Sequence, residues 1–430
     1  MPISRQEQPV PSLVSMLQVN HDRLTQSIAQ LADIGALPNG GVQRLAFSEA
    51  DCLARELVQR WMRETGMQVR IDSAGNLIGR YPGRFSQSAQ PVAALATGSH
   101  IDTVPNAGHY DGAYGVLAGL EVVRTLRDRQ HVLDHPLEVI VFADEERTMV
   151  GCKALSGNLS HDPQNYRSAQ GEPIETCLSR VGGDWSQRHS AQLTPADIAA
   201  FVELHVEQGP VLETGQKEIG VVTGIVGQRR YVFTVEGQAS HAGTTPMSMR
   251  QDALVAASRL VLAVHALGNQ PGDQVATVGR LDVLPNVANT IPGRVEFSLD
   301  IRDLDDDHLS RLMTRLEADI AQIAAETQTK ISLTPLLCNH SAPANSHIQN
   351  AIAQVCESLS YSYMHLPSRA SHDAQEMARI TDMGMIFVPS QGGVSHAETE
   401  YTSPEQCVQG ANVLLHTLLR LDQHYRCSAT

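Results

Sequence analysis

The sequence predicts an α/β protein in which a mostly parallel sheet is interrupted by an inserted ferredoxin-like domain. Up to about residue 206, short apolar runs alternate with helical patterns, which is the order of a mostly parallel sheet. From about residue 219 the order becomes βαββαβ, that of the split ferredoxin-like unit. The 430 residues allow two or three domains at about 150 residues each, and 42% hydrophobic residues can fill their cores.

The first elements begin at recognisable caps. Asn20 and Ser48 are N-cap residues that predict two helices, and the second helix should bury Leu53, Leu57 and Trp61 and end at Gly66. Alternating or continuous apolar runs then predict strands at 69–71, 77–78, 91–96, 137–142 and 201–205, with a helix through 117–126.

The same apolar patterns predict the elements of the inserted part and of the segment in which the chain returns to the first domain. The patterns predict strands at 231–235, 275–283, 294–301 and 331–337 and helices at 252–267 and 307–327. A helix at 348–359, a strand at 385–388 and a helix at 405–419 return to the first domain. We therefore expect one domain from 1–213 plus 336–430 and an inserted domain over 214–335.

Composition excludes several classes of protein. With 32 Lys and Arg against 47 Asp and Glu, the net charge is −15, which argues against a nucleic-acid partner. The seven cysteines form no CxxC pair, which is typical of reduced thiols. The N-terminus lacks the pattern of a signal peptide, and the most apolar stretch, 253–267, is too short to span a membrane. We expect a soluble cytoplasmic protein with no membrane partner.

Side chains that can ligate metals follow the predicted strands. Because ligands of parallel sheets bind beyond the carboxyl ends of the strands, these side chains should meet. Imidazoles and carboxylates without thiolates suit Zn²⁺ or Mn²⁺. The candidates are His100, Asp102, Asp111, Glu145, Glu146, Glu203, His205, Gln208 and His396.

Four of these positions have distinct chemical possibilities. Asp111, at a helix start, could bridge two ions, and Asp102 could hold the imidazole of His100 from behind. Glu145 and Glu146 leave the backbone in different directions. One of the two could bind metal while the other takes a proton from water.

Seven segments together give a family resemblance. They are GSHIDTV, HYDGAYGVLAG, FADEE, FVELHVEQG, GIVGQRRY, SHAGTTPM and VPSQGGVSH. The chain, from about residue 20 to 420, resembles the peptidase M20-like amidohydrolases. It is most similar to the carbamoylase branch: N-carbamoyl-L-amino acid hydrolases, β-ureidopropionases and allantoate amidohydrolases.

The resemblance implies a catalytic domain with two divalent ions per subunit, Zn²⁺ or Mn²⁺ with Co²⁺ or Ni²⁺ as further options. His205, where peptidase relatives have an acidic ligand, marks the carbamoylase branch. The implied roles are one ion on His100, Asp111 and His205, a second on Asp111, Glu146 and His396, Glu145 as general base and Asp102 as the acid that orients His100.

The inserted domain would act as a lid and would form a homodimer. Within it, His241 resembles the residue that stabilises the oxyanion, often across the dimer interface. Asn289 and Arg302 resemble groups that hold a substrate carboxylate, and an Arg fork suits that task. Gln208 and Gln228 are further candidate substrate contacts.

Two segments depart from the family pattern. Arg147 follows the glutamate pair where many relatives have glycine, and the loop after it is shorter. The segment Ser368-Arg-Ala-Ser-His-Asp373 replaces a glycine-rich one, and glycine permits a closer backbone approach. Both departures concern the choice of substrate and leave the metal ligands unchanged.

The resemblance implies hydrolysis of the carbamoyl (ureido) C–N bond of a small carboxylate substrate, with release of ammonia and CO₂. An N-carbamoyl-L-amino acid is the first expectation, and allantoate or 3-ureidopropionate are alternatives. An aminoacylase or dipeptidase activity is more distant. A non-catalytic module that binds an amino acid or a metal is the alternative from another class.

Overall fold

A computed structural model describes residues 17–86 and 92–426 and forms two compact units. The sheet unit comprises Met1–Thr223 and Ala344–Thr430, and the inserted unit comprises Gly224–Pro343. The N-terminal segment, the first residue of the strand predicted at 91–96, and Cys427 lie outside the described residues.

The elements of the described chain fall into three stretches. The first contains α1 His21–Ala32, α2 Glu49–Glu64, β1 Gln68–Ile71, β2 Leu77–Tyr81, β3 Ala94–His100, α3 Ala113–Asp128, β4 Leu137–Phe142, α4 Val150–Ser156, α5 Ile174–Arg180, β5 Ile198–Val206, α6 Val211–Thr214 and β6 Ile219–Ile225. The second contains β7 Gly227–Glu236, β8 Ser240–His241, α7 Ala253–Gly268, β9 Val275–Thr277, β10 Leu281–Leu284, β11 Thr290–Ile291, β12 Arg294–Asp303, α8 Asp306–Thr327, β13 Lys330–Asn339 and β14 Ala342–Pro343. The third contains α9 Ser346–Leu359, β15 Tyr363–Ser368, α10 Asp373–Met377, β16 Asp382–Val388 and α11 Pro404–Arg426.

The sheet unit is built on a mixed sheet with a parallel centre. Its order is β1-β2-β4-β3-β5-β16-β6, with β15 beside β6. Strands β4, β3, β5 and β16 are parallel neighbours, whereas β1, β2 and β6 pair antiparallel. Every residue of β3 and β4 is buried, as expected for parallel strands covered on both faces. The predicted α/β class with a mostly parallel sheet is confirmed.

The inserted unit is an antiparallel sheet packed against two helices. Its order is β10-β12-β7-β13, and β9 also pairs with β12. Along β12 buried residues alternate with more exposed ones, which is the period of a strand with one face on a core. That face (Val295, Phe297, Leu299) shares a core with Leu260 of α7 and Leu316 of α8.

Some predicted elements differ from the structure. The strand predicted at 275–283 is interrupted after Thr277 and resumes at Leu281, and both pieces pair with β12. The apolar face predicted for α2 was wrong at Leu53, which is 49% exposed, because the helix packs through Ala54, Val58 and Met62. The elements that were not predicted are α4, α5, α6 and α10 and strands β6, β8, β11, β14 and β15.

The inserted unit begins and ends later than the predicted 214–335. Up to Val221, β6 pairs with β16 and so belongs to the sheet unit. At the other end, β13 continues to Asn339 and remains paired with β7.

Among the described residues, no helix is both long and apolar enough to cross a membrane. Six cysteines in the described part are free thiols.

Candidate metal centre

Two adjacent parallel strands end in histidines that face the same carboxylate. His100 is the last residue of β3, and His205 is the penultimate residue of β5. Their side chains are only 3% and 1% exposed. Asp111, in the loop before α3, places Oδ1 at 3.1 Å from His205 Nε2 and 3.6 Å from His100 Nε2. We call His100, Asp111 and His205 the inner group.

The other oxygen of Asp111 faces a second set of ligand-type side chains. Asp111 Oδ2 lies 3.2 Å from His396 Nε2, which in turn lies 3.6 Å from Glu146 Oε2. We call Asp111, Glu146 and His396 the outer group. Within each group the candidate ligand atoms all lie within 4.8 Å of one another. Asp111 is therefore common to both groups, with one oxygen directed to each.

Gly112 allows Asp111 to approach the histidines. Its φ is +63°, in the left-handed region that favours glycine. A Cβ at this position would lie 2.4 Å from His100 Nε2. A larger residue here would push the ring away from Asp111.

In the turn after β4, the side chains of two consecutive glutamates face different imidazoles. Glu145 Oε2 lies 3.6 Å from His100 Nε2, whereas Glu146 is directed to His396. Asp144, just before them, has a left-handed φ of 56°, and Gln208 and His396 have φ values of 59° and 55°. Three non-glycine residues around the centre thus adopt a sparsely populated backbone conformation.

The electrostatics of the centre favour cations. Burial alone would raise the pKa of Asp111, but contacts with His100, His205 and His396 hold it well below the usual range. Burial raises the pKa of Glu145 well above its ordinary value and that of Glu146 to about 7. Contact with Asp111 raises the pKa of His396 to about 9. Without metal, the two glutamates and His396 therefore hold protons beside the ionised Asp111, and a divalent cation would displace those protons.

Asp102 and Gln208 make contacts other than those expected, which were an Asp102 carboxylate that orients His100 and a Gln208 that contacts substrate. His100 Nδ1 contacts the backbone carbonyl of Asp102 at 3.0 Å, while the Asp102 carboxylate is 3.8 Å away. That carboxylate accepts a hydrogen bond from the N–H of Glu146 at 3.3 Å instead. Gln208 Nε2 donates to Asp111 Oδ2 at 2.9 Å. Asp102 thus links the segment that follows His100 to the turn that carries Glu146, and Gln208 contacts the shared ligand.

In the inserted unit, the predicted residues form two pairs. His241 lies beside Asn289, whose carbonyl accepts a hydrogen bond from the N–H of Ala242 at 3.0 Å. Arg302 lies opposite Gln228 in the β7–β12 ladder. Both bind Asp300, at 2.9 Å from Arg302 Nε and 2.7 Å from Gln228 Nε2. The Arg302 guanidinium therefore already has a carboxylate partner in this structure.

Sequence reasoning missed the roles of two buried carboxylates behind the centre. Glu203 accepts hydrogen bonds from Ser99 Oγ at 2.8 Å and from the N–H of Ala374 at 2.9 Å, and its carboxylate lies close to His205 and His372. Glu400 accepts from the N–H of Asp111 at 3.0 Å. Their burial, 0% and 5% exposed, distinguishes them from surface glutamates but cannot be read from the sequence.

The comparisons with known proteins identify the family of this chain. The family model described as peptidase family M20/M25/M40 matches residues 96–420. The chain belongs to this family. An N-carbamoyl-L-amino acid amidohydrolase from Geobacillus stearothermophilus is 38% identical, over 94% of this chain and 99% of the relative. An allantoate amidohydrolase from Bacillus subtilis is 36% identical, over 93% and 97%.

Solved structures show the same likeness. An amidase of the hydantoinase/carbamoylase family from Burkholderia multivorans has a TM-score of 0.86 and 38% identity, over 94% of this chain and 98% of that one. This M20 family member is accordingly a hydrolase of C–N bonds. Its donor set of imidazoles and carboxylates fits the divalent metal that the family implies.

Proposed function

We propose that this enzyme uses two divalent ions to hydrolyse the carbamoyl C–N bond of a small substrate that carries a carboxylate, an N-carbamoyl-L-amino acid. The observation that carries the proposal is the position of Asp111, whose two oxygens face two separate ligand groups beside Glu145. The names of the relatives support the carbamoyl chemistry.

The inner group would hold one ion and the outer group the other, with Asp111 shared. Zn²⁺ and Mn²⁺ suit these ligands, and Co²⁺ or Ni²⁺ could replace them. When bound, such ions lower the pKa of water and polarise a carbonyl oxygen.

Glu145 is the proposed general base. Its side chain is 10% exposed and lies 3.6 Å from His100, so it is held at the centre and shielded from bulk water. It would accept the proton of the attacking water and then give a proton to the leaving nitrogen. Glu146, directed to His396, would remain a ligand.

Residues of the inserted unit would bind the substrate. Arg302 would exchange its bond with Asp300 for the substrate carboxylate, and Asn289 would donate a second hydrogen bond. His241, an exposed residue at the end of β8, would stabilise the developing oxyanion. Gln208 and Gln228 would be further contacts.

A homodimer through the inserted unit is part of the proposal. Large apolar side chains are exposed there, among them Met247 (76%), Met249 (70%) and Leu262 (67%), and such residues commonly mark interfaces. If His241 serves the partner subunit, mixing inactive His241→Ala and Glu145→Gln chains should restore some activity. No recovery after verified subunit exchange would contradict that arrangement.

The direct test is turnover of a panel of substrates with added Mn²⁺ or Zn²⁺, measured as ammonia release for the carbamoyl compounds and allantoate and as release of the free amino acid for the acetyl compounds. The panel contains N-carbamoyl-L-amino acids, 3-ureidopropionate, allantoate and matched N-acetyl-L-amino acids. We expect turnover of the carbamoyl amino acids and little of the acetyl compounds. Preference for allantoate would favour the function named for the Bacillus subtilis relative. Metal binding without turnover of any member would support a binding module instead.

A further inference from the structure

The buried carboxylate of Glu400 connects two loops that supply the outer group. Its Oε1 accepts hydrogen bonds from the backbone N–H groups of Tyr110 and Asp111, each at 3.0 Å. Its Oε2 accepts from the hydroxyl of Ser395, the residue before His396, at 2.7 Å. One carboxylate therefore holds the backbone of the shared ligand and the neighbour of the outer histidine.

The hydroxyl of Ser395 lies between two carboxylates. Besides Glu400 at 2.7 Å, it lies 3.2 Å from Asp111 Oδ2, the oxygen that faces the outer group. A hydroxyl carries one proton and can donate it to only one of these carboxylates at a time. The shorter contact gives that proton to Glu400. Asp111 Oδ2 already accepts one hydrogen bond from Gln208 Nε2 at 2.9 Å, so it then keeps one lone pair that a cation can use.

We propose that Glu400 is a positioning residue for the outer ion. By accepting the Ser395 proton, it keeps Asp111 Oδ2 available to that ion, and by binding the N–H of Asp111 it fixes the loop. The inference rests on the proposed two-ion centre and adds a residue outside its ligand set.

The substitution Glu400→Gln should reverse the direction of the hydrogen bond between the side chain at position 400 and the Ser395 hydroxyl. The amide oxygen must face the N–H groups of Tyr110 and Asp111, because only an oxygen can accept from them. The amide NH₂ then points at Ser395, which becomes an acceptor and turns its own proton to Asp111 Oδ2. We expect outer-ion affinity to fall about 10- to 100-fold, the usual cost of losing a partner behind a ligand.

The experiment measures the affinity of each ion by competition with a chelator, with Mn²⁺ or Zn²⁺ as the probe. Five proteins are compared: the wild type, Glu400→Gln, Ser395→Ala, the double variant, and Glu398→Gln as a matched control. Glu398 is an exposed glutamate in the same loop that binds Asn106. Ser395→Ala and Glu398→Gln should bind both ions nearly as the wild type does. The double variant should recover most of the loss, since no hydroxyl proton remains to compete for Asp111.

Two results would overturn the inference, and a third would refute the two-ion centre on which it rests. A double variant as weak as Glu400→Gln would show that Glu400 acts through charge or backbone alone. A loss of about tenfold or more in Ser395→Ala would show that the hydroxyl supports Asp111 directly, and this result does not require Glu400→Gln to fold. A wild-type chain with one ion would instead refute the two-ion centre itself, and that failure is seen before any variant is made.

Discussion

The inner and outer groups share Asp111 but differ in what holds their other ligands. His100 and His205 end neighbouring parallel strands and are almost completely buried. Glu146 and His396 come from loops, and the His396 side chain is 50% exposed. Ligands locked by packing need less ordering when an ion arrives. We therefore expect a tightly held inner ion and an exchangeable outer ion.

The largest effect should follow from removing the ligand that both groups share. In Asp111→Ala, neither group keeps three ligands, so both ions should be lost and activity should fall to background. Elemental analysis and ammonia release would measure this. Asp128→Ala is the matched control, because Asp128 binds Arg23 on the surface. Two ions per chain in Asp111→Ala would refute the shared ligand.

A substitution at Glu145 should separate the loss of turnover from any loss of metal binding. The substitution Glu145→Gln keeps the size of the side chain but cannot accept a proton. We expect metal content near wild type and turnover lower by about two to four orders of magnitude. Single-turnover assays on metal-loaded protein would show the loss. Full activity would end the proposed role of Glu145.

The difference between the groups is tested by one histidine from each. His396→Ala should lose only the outer ion, and excess metal should restore part of the activity. His205→Ala should lose the inner ion and should resist rescue at the same metal concentration. Each ligand loss should weaken its own ion by more than the 10- to 100-fold typical of residues behind a ligand. Equal rescue of both variants would remove the distinction between the groups.

The smallest effect expected is a pH dependence of the affinity for the outer ion. Contact with Asp111 raises the pKa of His396 to about 9 in the metal-free chain. An imidazole must lose its proton before it can ligate, so below that pKa protons compete with the metal. Between about pH 7, where Glu146 loses its proton, and about pH 9, outer-ion affinity should rise with pH by at most about tenfold per unit for the one proton of His396, and it should level off above about pH 9. A titration curve that is flat from about pH 7 upward would contradict this interpretation.

The sequence could predict which strands carry the ligand-type residues but not how the loops use their side chains. His100 and His205 follow from apolar runs that end in polar residues, and the structure places them at strand ends. Glu203 and Glu400 act on partners 104 and 289 residues away, which no local period encodes. The apolar face predicted for α2 was wrong at Leu53, because tertiary packing, and not spacing alone, selects the buried side of the helix.

The left-handed backbone at Asp144, Gln208 and His396 has a consequence for the lifetime of the protein in the cell. Each such non-glycine residue costs on the order of 1–3 kcal/mol, whereas a bound ion stabilises the folded chain by mass action. Newly made chains that find no metal should open these loops more often and be degraded sooner. The abundance of the enzyme would then follow the supply of divalent ions, and the rate of limited proteolysis with and without added Mn²⁺ would measure that link.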